Sequence, residues 1–566
     1  MIIDYMTNPG LIFLFSAVVI CWMPLNWRRC FTLLIPIITF FYIISLNPGD
    51  TQTINYMGYE FVLLRVDKLS LVWGYIFCIA AALGIIYSFH QNDRIQDVAA
   101  IIYSGSAVGA VFAGDLISLF IFWEFTAISS VFLIWASRSE SSYYAGLRYL
   151  VIQLSSGLIL LAGVILWAHS NGQIAFNLIG IDSLAGKLIF LAFGIKCAFP
   201  LLHNWLQDSY PQSTESGTVI LSAFTTKLAV YALARGFSGT EELIFIGATM
   251  TAFPIFFAVI ENDLRKVLAY SLNNQLGFMV VGVGIGTELS LNGTACHAFV
   301  HILYKALLFM SMGAVLHRLG TTKATELGGL YKSMPLTTVF CIVGAMSISA
   351  FPLFSGFVAK SMILTAAAGE GYWGIWLVLV MGSAGVMHHS GIKIPYFAFF
   401  SHDSGKRPKE APTNMLIAMG ITAILCIYFG VYPYTLYSIL PYPVDFSPYT
   451  FAHVITQLQL LMFSILAFIF LMKVGTYPPE VASTNLDTDI LYRKFIPKIL
   501  NWFSKSIYTI ISKNQILSDR WLEGFVGLVK KYHGLDGVLA KTHPAGFMVS
   551  CVVGLLCIYL LLYLFG

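Results

Sequence analysis

Apolar stretches of about 20 residues recur along nearly the whole of this chain, and that recurrence restricts it to one class of fold. A helix of ~20 apolar residues crosses the ~30 Å hydrocarbon core of a bilayer with every backbone N–H and C=O bonded inside the segment. Of 566 residues, 58% are hydrophobic and only 11% are charged. The mean hydropathy is +0.78. Water-soluble domains do not carry that balance, and the alternating pattern of a membrane β-barrel is absent. The chain is therefore read as an all-α polytopic membrane protein.

Spans are expected at about 10–25, 31–46, 68–89, 98–113, 115–136, 148–169, 184–206, 217–236, 242–260, 264–286, 294–318, 336–366, 373–397, 414–435, 455–474 and 546–565, roughly 16 in all. The N-terminal MIIDYMTNPG holds an acid and no basic segment, so the first helix is expected to be kept rather than cleaved. Basic residues gather in the loops after odd-numbered spans, roughly 14 against 4. By the positive-inside rule those loops face the cytoplasm and both termini lie outside, in a cell (inner) membrane. Nine cysteines stand singly, with no CxxC or Cys/His ligand spacing. No metal, iron–sulfur or disulfide framework follows from them, and no cofactor is expected in this chain.

Two spans are interrupted. The seventh carries CAFPLLH around Pro200, and the twelfth carries AFPLFSGF around Pro352 and Gly356. Irregular backbone at membrane depth is tolerated only inside protein or beside a watery cavity. Paired interruptions in matching positions of two halves point to a transport site. They lie five spans apart, and an odd number of spans per repeat inverts the second repeat. The expected organisation is N-terminal spans over 1–97, a first inverted repeat over 98–236, a second over 242–397, and further core spans over 414–474. Residues 475–545 break the rhythm. Apolar residues recur there at helical spacing among Lys, Arg and aromatics, so an amphipathic helix on the membrane surface is preferred to a soluble linker. A final anchoring span occupies 546–566.

Five ionisable residues fall near the middle of five different spans: Glu124, Lys196, Lys227, Lys305 and Lys360. An ionisable group at that depth is expensive, and five at similar depth argue for function. Lysine pKa responds to desolvation and to a neighbouring carboxylate, whereas arginine keeps its proton. A Glu124–Lys196 pair would hold a proton when together and release it when apart, handing it through Lys227 to Lys305 and Lys360. His297, His301 and Lys305 stand at i, i+4 and i+8 on one helix face, about 6 Å apart in rise, a row suited to proton relay. Histidines at i, i+4 also suit zinc, but no glutamate follows the first and no third ligand is evident. His203, just past the first interruption, is either a relay member or an ordinary core histidine. His388 and His389, with Lys393, stand either at an exit or at an ordinary interface. His317 and Arg318 read as an interfacial anchor.

WEF with Glu124, GIKCAFPLLHNWLQDSYP with Lys196 and His203, AFTTKLAVYALAR with Lys227, HAFVHILYKALLF with Lys305 and FPLFSGFVAK with Lys360 together resemble the antiporter-like proton-translocating family. That family contains the large subunits of Mrp-type cation/proton antiporters and the antiporter-like membrane subunits of respiratory complex I. The resemblance covers about residues 65–435. It implies a 14-helix core with inverted five-helix repeats, broken seventh and twelfth helices, and a central hydrophilic axis of the acid and the lysines. The DSYP…SAFTTKLAVYALAR run and LDTDILYRK are most similar to the D-type large subunit of Mrp antiporters. Three features depart from the pattern. Gln207 replaces a proline, and Asn273, Asn274 and Gln275 stand where a second acid would mirror Glu124. The C-terminal helix and extra span are similar instead to the largest, distal antiporter-like subunits.

The expectation is an ion-transporter subunit, not an enzyme, that moves protons and exchanges them for Na+. Its partners would be other subunits of a membrane antiporter or complex I-like assembly, together with lipid, and not nucleic acid. The alternative is a proton-pumping subunit of a redox-driven complex, whose redox centres would lie in partners.

Overall fold

The computed structural model describes residues 7–565 apart from 57, 479, 482–484, 486 and 535–544. The chain divides into two units, residues 1–485 and 486–566. The first unit begins with α1 (Gly10–Ile20), α2 (Leu25–Ser45), an antiparallel hairpin of β1 (Thr51–Tyr56) and β2 (Tyr59–Arg65), α3 (Lys68–Ser88) and α4 (Arg94–Phe112). Next come α5 (Leu116–Trp135), α6 (Glu140–Asn171), α7 (Leu184–Lys196), α8 (Asn204–Ser209), α9 (Glu215–Ala223) and α10 (Thr225–Gly236). A further run holds α11 (Glu242–Ile260), α12 (Leu264–Ile285), α13 (Glu288–Leu319), α14 (Pro335–Ile348), α15 (Ser355–Gly369) and α16 (Trp373–Val386). After α16 the helix continues through a π-turn to α17 (Lys393–Pro395), then α18 (Thr413–Val431), α19 (Tyr434–Tyr437) and α20 (Phe451–Val474). The second unit holds α21 (Ile496–His533) and α22 (Ala545–Phe565).

Helix starts follow capping chemistry. Asp67, Asp93, Asp115, Ser139, Thr214, Asp263 and Thr287 each accept a backbone N–H from the first turn of the helix they precede, satisfying donors the helix leaves open. Left-handed Gly172, Gly286, Gly320 and Gly475 close α6, α12, α13 and α20. Among the described residues, twelve helices are long and apolar enough to cross a bilayer. The expected spans outside that set have a reason. α1, α7, α14 and α15 are short, the last three because the chain breaks beside them. α12 carries Arg265, Lys266, Asn273, Asn274 and Gln275 and is buried along nearly all its length, so it is enclosed by protein rather than apolar.

The two breaks share one backbone design. Ala198 and Leu201 take φ of 61° and 69°, and Ala350 and Leu353 take 57° and 72°. The N–H of Phe199 donates to the Gly194 carbonyl, and that of Phe351 to the Met346 carbonyl, five residues back in both cases. Outside the breaks, Asp115 bridges Ala175 and Asp263 bridges Lys323 at an equal separation. These correspondences set α4–α10 beside α11–α17 at the level of backbone.

The centre of the first unit is formed by α9, α10 and α13. Residues 216–236 are buried without interruption, and so are those from Ser290 to Val315 of α13. Apolar side chains on α6, α11 and α20, among them Val151, Phe256 and Phe463, stay exposed on the outer surface, as lipid-facing residues do.

One expected boundary moves. Residues 475–485 belong to the first unit: Glu480 pairs with Lys393 at 2.9 Å, and the Asn485 amide donates to Glu261 at 3.2 Å. The helix expected within 475–545 begins at Ile496 and is 38 residues long. Its Trp502, Trp521 and Phe525 are exposed. The junction to α22 lies outside the described residues.

Candidate functional site

The first charged group forms where α5, α6 and α7 meet. Lys196 is the last residue of α7, directly before the first break, and is fully buried. Its ammonium donates to the Trp123 carbonyl at 2.5 Å and to the Thr126 hydroxyl at 2.9 Å. It also lies 4.3 Å from the centre of the Trp123 ring, a cation–π contact strengthened by desolvation. The expected Glu124–Lys196 ion pair is not formed. Glu124 points to α6, where its carboxylate fills the space a Cβ of Gly157 would take, and its Oε1 is buried without a protein partner. Trp123 and Thr126 are three residues apart and share a face, while Glu124 lies about 100° round the helix. The two charges still act on each other electrostatically.

The second group lies between the halves. The helix is interrupted at Phe224, and the Lys227 ammonium reaches back across the junction to the Ser222 carbonyl at 2.6 Å. Trp73 donates to the Lys227 carbonyl at 2.9 Å. On α13, the His297 and His301 ring centres stand 6.0 Å apart, and Lys305 follows one turn on. The charge of Lys227 acts on His301 and Lys305. Both ring nitrogens of His301 and the Lys305 ammonium are buried without a protein partner. Polar atoms in that condition are met by ordered water in folded proteins.

The third group surrounds the second break. The Lys360 ammonium donates to the Ile348 carbonyl at 2.7 Å and lies 5.2 Å from the centre of the Phe278 ring. Lys360 also lines a cavity of about 740 Å³ between α15, α16 and α20, with Ser361, Thr365, Ser383, Thr456 and Gln457 on its wall.

The histidines separate into two sets. His389 bonds Ser390 at 2.9 Å and Ser390 donates to Ser271 of α12, so it faces the interior, within reach of the Lys305 charge. His388 faces the other way, against Phe468 and Tyr477. His203 packs edge-on against Phe253 of α11, with ring centres 4.6 Å apart. Asp208 is held bidentately by Arg148 at 2.6 and 3.0 Å, so it fixes α8 to α6.

One participant, Tyr304, carries no mark in the sequence. Tyr304 bonds His297 at 2.9 Å and donates to Gln275 at 3.1 Å. Gln275 in turn donates to Asn274, which donates to the Thr251 carbonyl. The amides of α12 thus form the polar wall opposite the α13 histidines. Their presence is legible in the sequence, but their partners come from elements far apart in the chain. His317 is not a simple anchor: it bonds Glu215 at 3.2 Å. Arg318 donates to the Glu410 carbonyl.

Residues 113–386 match the family described as NADH:quinone oxidoreductase/Mrp antiporter, transmembrane. The chain is 29% identical over 468 residues to the A1-type subunit of the Na(+)/H(+) antiporter of Staphylococcus haemolyticus, covering 72% of this chain and 58% of that one. It is 28% identical over 476 residues to the A-type subunit of the Na(+)/H(+) antiporter of Alkalihalophilus pseudofirmus, covering 73% and 58%. The chain therefore spans less than two thirds of the curated relatives it matches. These relatives are of the A type, not the D type suggested by the short motifs. The fold is similar to a chain of the Mrp complex from Dietzia sp., with a TM-score of 0.68, 21% identity and coverage of 77% of this chain and 96% of that one. It is also similar to a chain of an archaeal membrane-bound sulfane sulfur reductase, with a TM-score of 0.70, 21% identity and coverage of 97% and 99%.

Proposed function

We propose that this chain is a proton-translocating subunit of a multisubunit Na+/H+ antiporter of Mrp type. The observation that carries the reading is the succession Glu124, Lys196, Lys227, Lys305 and Lys360, buried or half-buried on the axis between two similarly broken halves. Lysines at such depth are costly, and ionisable residues placed there mark ion pathways and proton relays. Lys196 and Lys360 are the anchored ends, each with a carbonyl acceptor beside a break or on α5. Lys305 is the member whose ammonium is buried without a hydrogen-bond partner among the described residues. His297, His301 and His389 extend the row as relay members, and His203 and His388 stand at its edges.

Similarity to A-type subunits over most of the chain favours their position in the complex over that of the D-type subunit. The halves 98–236 and 242–397 are taken as inverted repeats. Loops after odd-numbered spans face the cytoplasm and the termini face outward, in the cell membrane. A second reading is an ion-pumping subunit of a redox-driven complex. It is favoured by one point: the sulfane sulfur reductase chain matches the fold over 97% of this chain, against 77% for the Mrp chain.

The test is purification of the native complex, identification of its partners, and ΔpH and Na+ flux in vesicles. Partners that are small membrane subunits, with Na+-dependent ΔpH, support the antiporter. Iron–sulfur partners support the redox-driven reading. Lys196→Ala and Glu124→Ala are expected to abolish proton-coupled transport with the complex still assembled. Lys305→Arg is expected to fail as well, since arginine does not give up its proton. Parental transport by any of the three would refute the axis.

A further inference from the structure

Three side chains from distant parts of the chain converge at one end of the helix bundle, away from the lysine row. His90 follows α3, Glu215 opens α9, and His317 lies in the last turn of α13. His90 Nε2 stands 3.3 Å from Glu215 Oε1, and His317 Nδ1 stands 3.2 Å from the same oxygen. The two imidazoles meet edge to face with centres 4.7 Å apart. One ligand atom from each residue lies within 4.8 Å of the other two.

We infer that His90, Glu215 and His317 form a binding site for a divalent transition metal of the Zn2+ class. Zinc holds nitrogen and oxygen donors at about 2.0–2.2 Å in a tetrahedron, so neighbouring donors sit about 3.3 Å apart. Two of the three edges already have that length. The third closes by small rotations of side chains that are 12%, 18% and 27% exposed, which also leaves an aqueous ion a way in and water a fourth position.

The hydrogen-bonding around His90 points the same way. Its Nδ1 lies 3.1 Å from the Tyr87 carbonyl and 3.2 Å from the Asn414 amide nitrogen. In the tautomer with the ring proton on Nδ1, toward that carbonyl, Nε2 presents a lone pair to the carboxylate oxygen. Two acceptors at 3.3 Å repel unless a cation lies between them, either a proton or a metal. A backbone carbonyl on the far nitrogen is the usual support of a metal-binding histidine. The Asn414 amide steadies that carbonyl by donating to it at 2.8 Å. Two imidazoles and one carboxylate select Zn2+-like ions over Mg2+ and Ca2+, which take oxygen. Occupancy would tie the ends of α3, α9 and α13 together.

The test uses the full-length chain without a histidine tag, with Zn2+ alone as the probe. The site predicts one Zn2+ per chain by calorimetry and an X-ray absorption first shell of nitrogen and oxygen at about 2.0–2.1 Å. His90→Ala and Glu215→Gln should each weaken binding by at least about 10-fold. His317→Cys should keep the metal and add a sulfur at about 2.3 Å, which a proton-bridged cluster has no reason to do. Mg2+ should not compete at equal concentration. Stoichiometric Zn2+ unchanged in the His90→Ala/His317→Ala double variant would overturn the site. No Zn2+ bound by the parent would leave a purely protonic bridge and overturn it too.

Discussion

Gly157→Ala tests whether Glu124 works from the position it occupies. A methyl at residue 157 would coincide with the Glu124 carboxylate, the movable end of that side chain. The carboxylate must withdraw until the contact is non-bonded, a shift of about 2 Å. Misplacement of a reacting group by ~1 Å is worth about 10²-fold in rate, so proton-coupled transport should fall by at least that factor. The fold should survive, because overpacking of this kind costs about 1–3 kcal/mol and the Lys196 contacts to Trp123 and Thr126 are untouched. Gly163→Ala is the control: on the same helix, its methyl meets Ile189 at 2.8 Å and not Glu124. It should lower stability similarly and leave transport per assembled chain intact. Glu124→Asp, shorter by one methylene, should restore part of the loss in a Gly157→Ala background. The assay is ΔpH in vesicles, normalised to assembled complex. Parental transport by Gly157→Ala would refute the placement of the acid, and equal transport loss in Gly163→Ala would show that packing, not the carboxylate, is being read.

The two breaks offer a stability test: Ala198→Gly and Ala350→Gly remove a Cβ from left-handed backbone and should each stabilise the detergent-solubilised protein by about 1 kcal/mol in thermal unfolding. Glu480→Ala strands the Lys393 ammonium, whose side chain is fully buried, with only the Val259 and Glu261 carbonyls. That should cost about 3–5 kcal/mol and expose residues 475–485 to proteolysis; an unchanged digestion pattern would contradict the tether. Asp67, which caps α3, feels burial pushing its carboxyl up, but Arg235, the Ser70 N–H and Arg65 outweigh it and hold it below the usual 3.8. A depressed acid contributes stability above its unfolded value and loses it as pH falls through the folded one. The contribution is therefore intact above about pH 4 and disappears below it, and Asp67→Asn should flatten that part of the thermal-stability profile.

What the sequence exposes is what depends on neighbours along the chain. Apolar runs place the spans, and AFPL at 198–201 and 350–353 places the breaks, because proline and local backbone geometry act within a few residues. Burial of Lys196, Lys227, Lys305 and Lys360 follows from depth alone. Rotation about a helix axis does not. Glu124 and Thr126 are two residues apart on α5, so one ammonium on α7 faces one of them, and the side it faces is set by packing against α6. His388 and His389 diverge for the same reason. The hairpin at 51–65 and the docking of 475–485 have no local signature, because the strands are short and Glu480 finds Lys393 only after folding. His90 and His317 are each separated from Glu215 by more than 100 residues, beyond any local pattern.

The backbone likeness of the halves makes their chemical difference informative. At the first break the residue two before the left-handed alanine is Lys196, and its side chain leaves for α5. At the second break the same place holds Ile348, and its carbonyl receives the ammonium of Lys360 from beyond the break. One half thus supplies a lysine from its break, and the other supplies an acceptor at its break. The acid differs too: α5 carries Glu124, while α12 carries Asn273, buried with no protein partner among the described residues. The Lys305 ammonium is buried with no hydrogen-bond partner among the described residues and lies 5.8 Å from the centre of the Phe309 ring. Of the four lysines it alone has no hydrogen-bond acceptor among the described residues, and the charge of Lys227 acts on it. On the proposed proton-transfer reading, the acid acts in the first half and the lysine without an acceptor lies in the second, which gives the row a chemical polarity that the doubled backbone lacks.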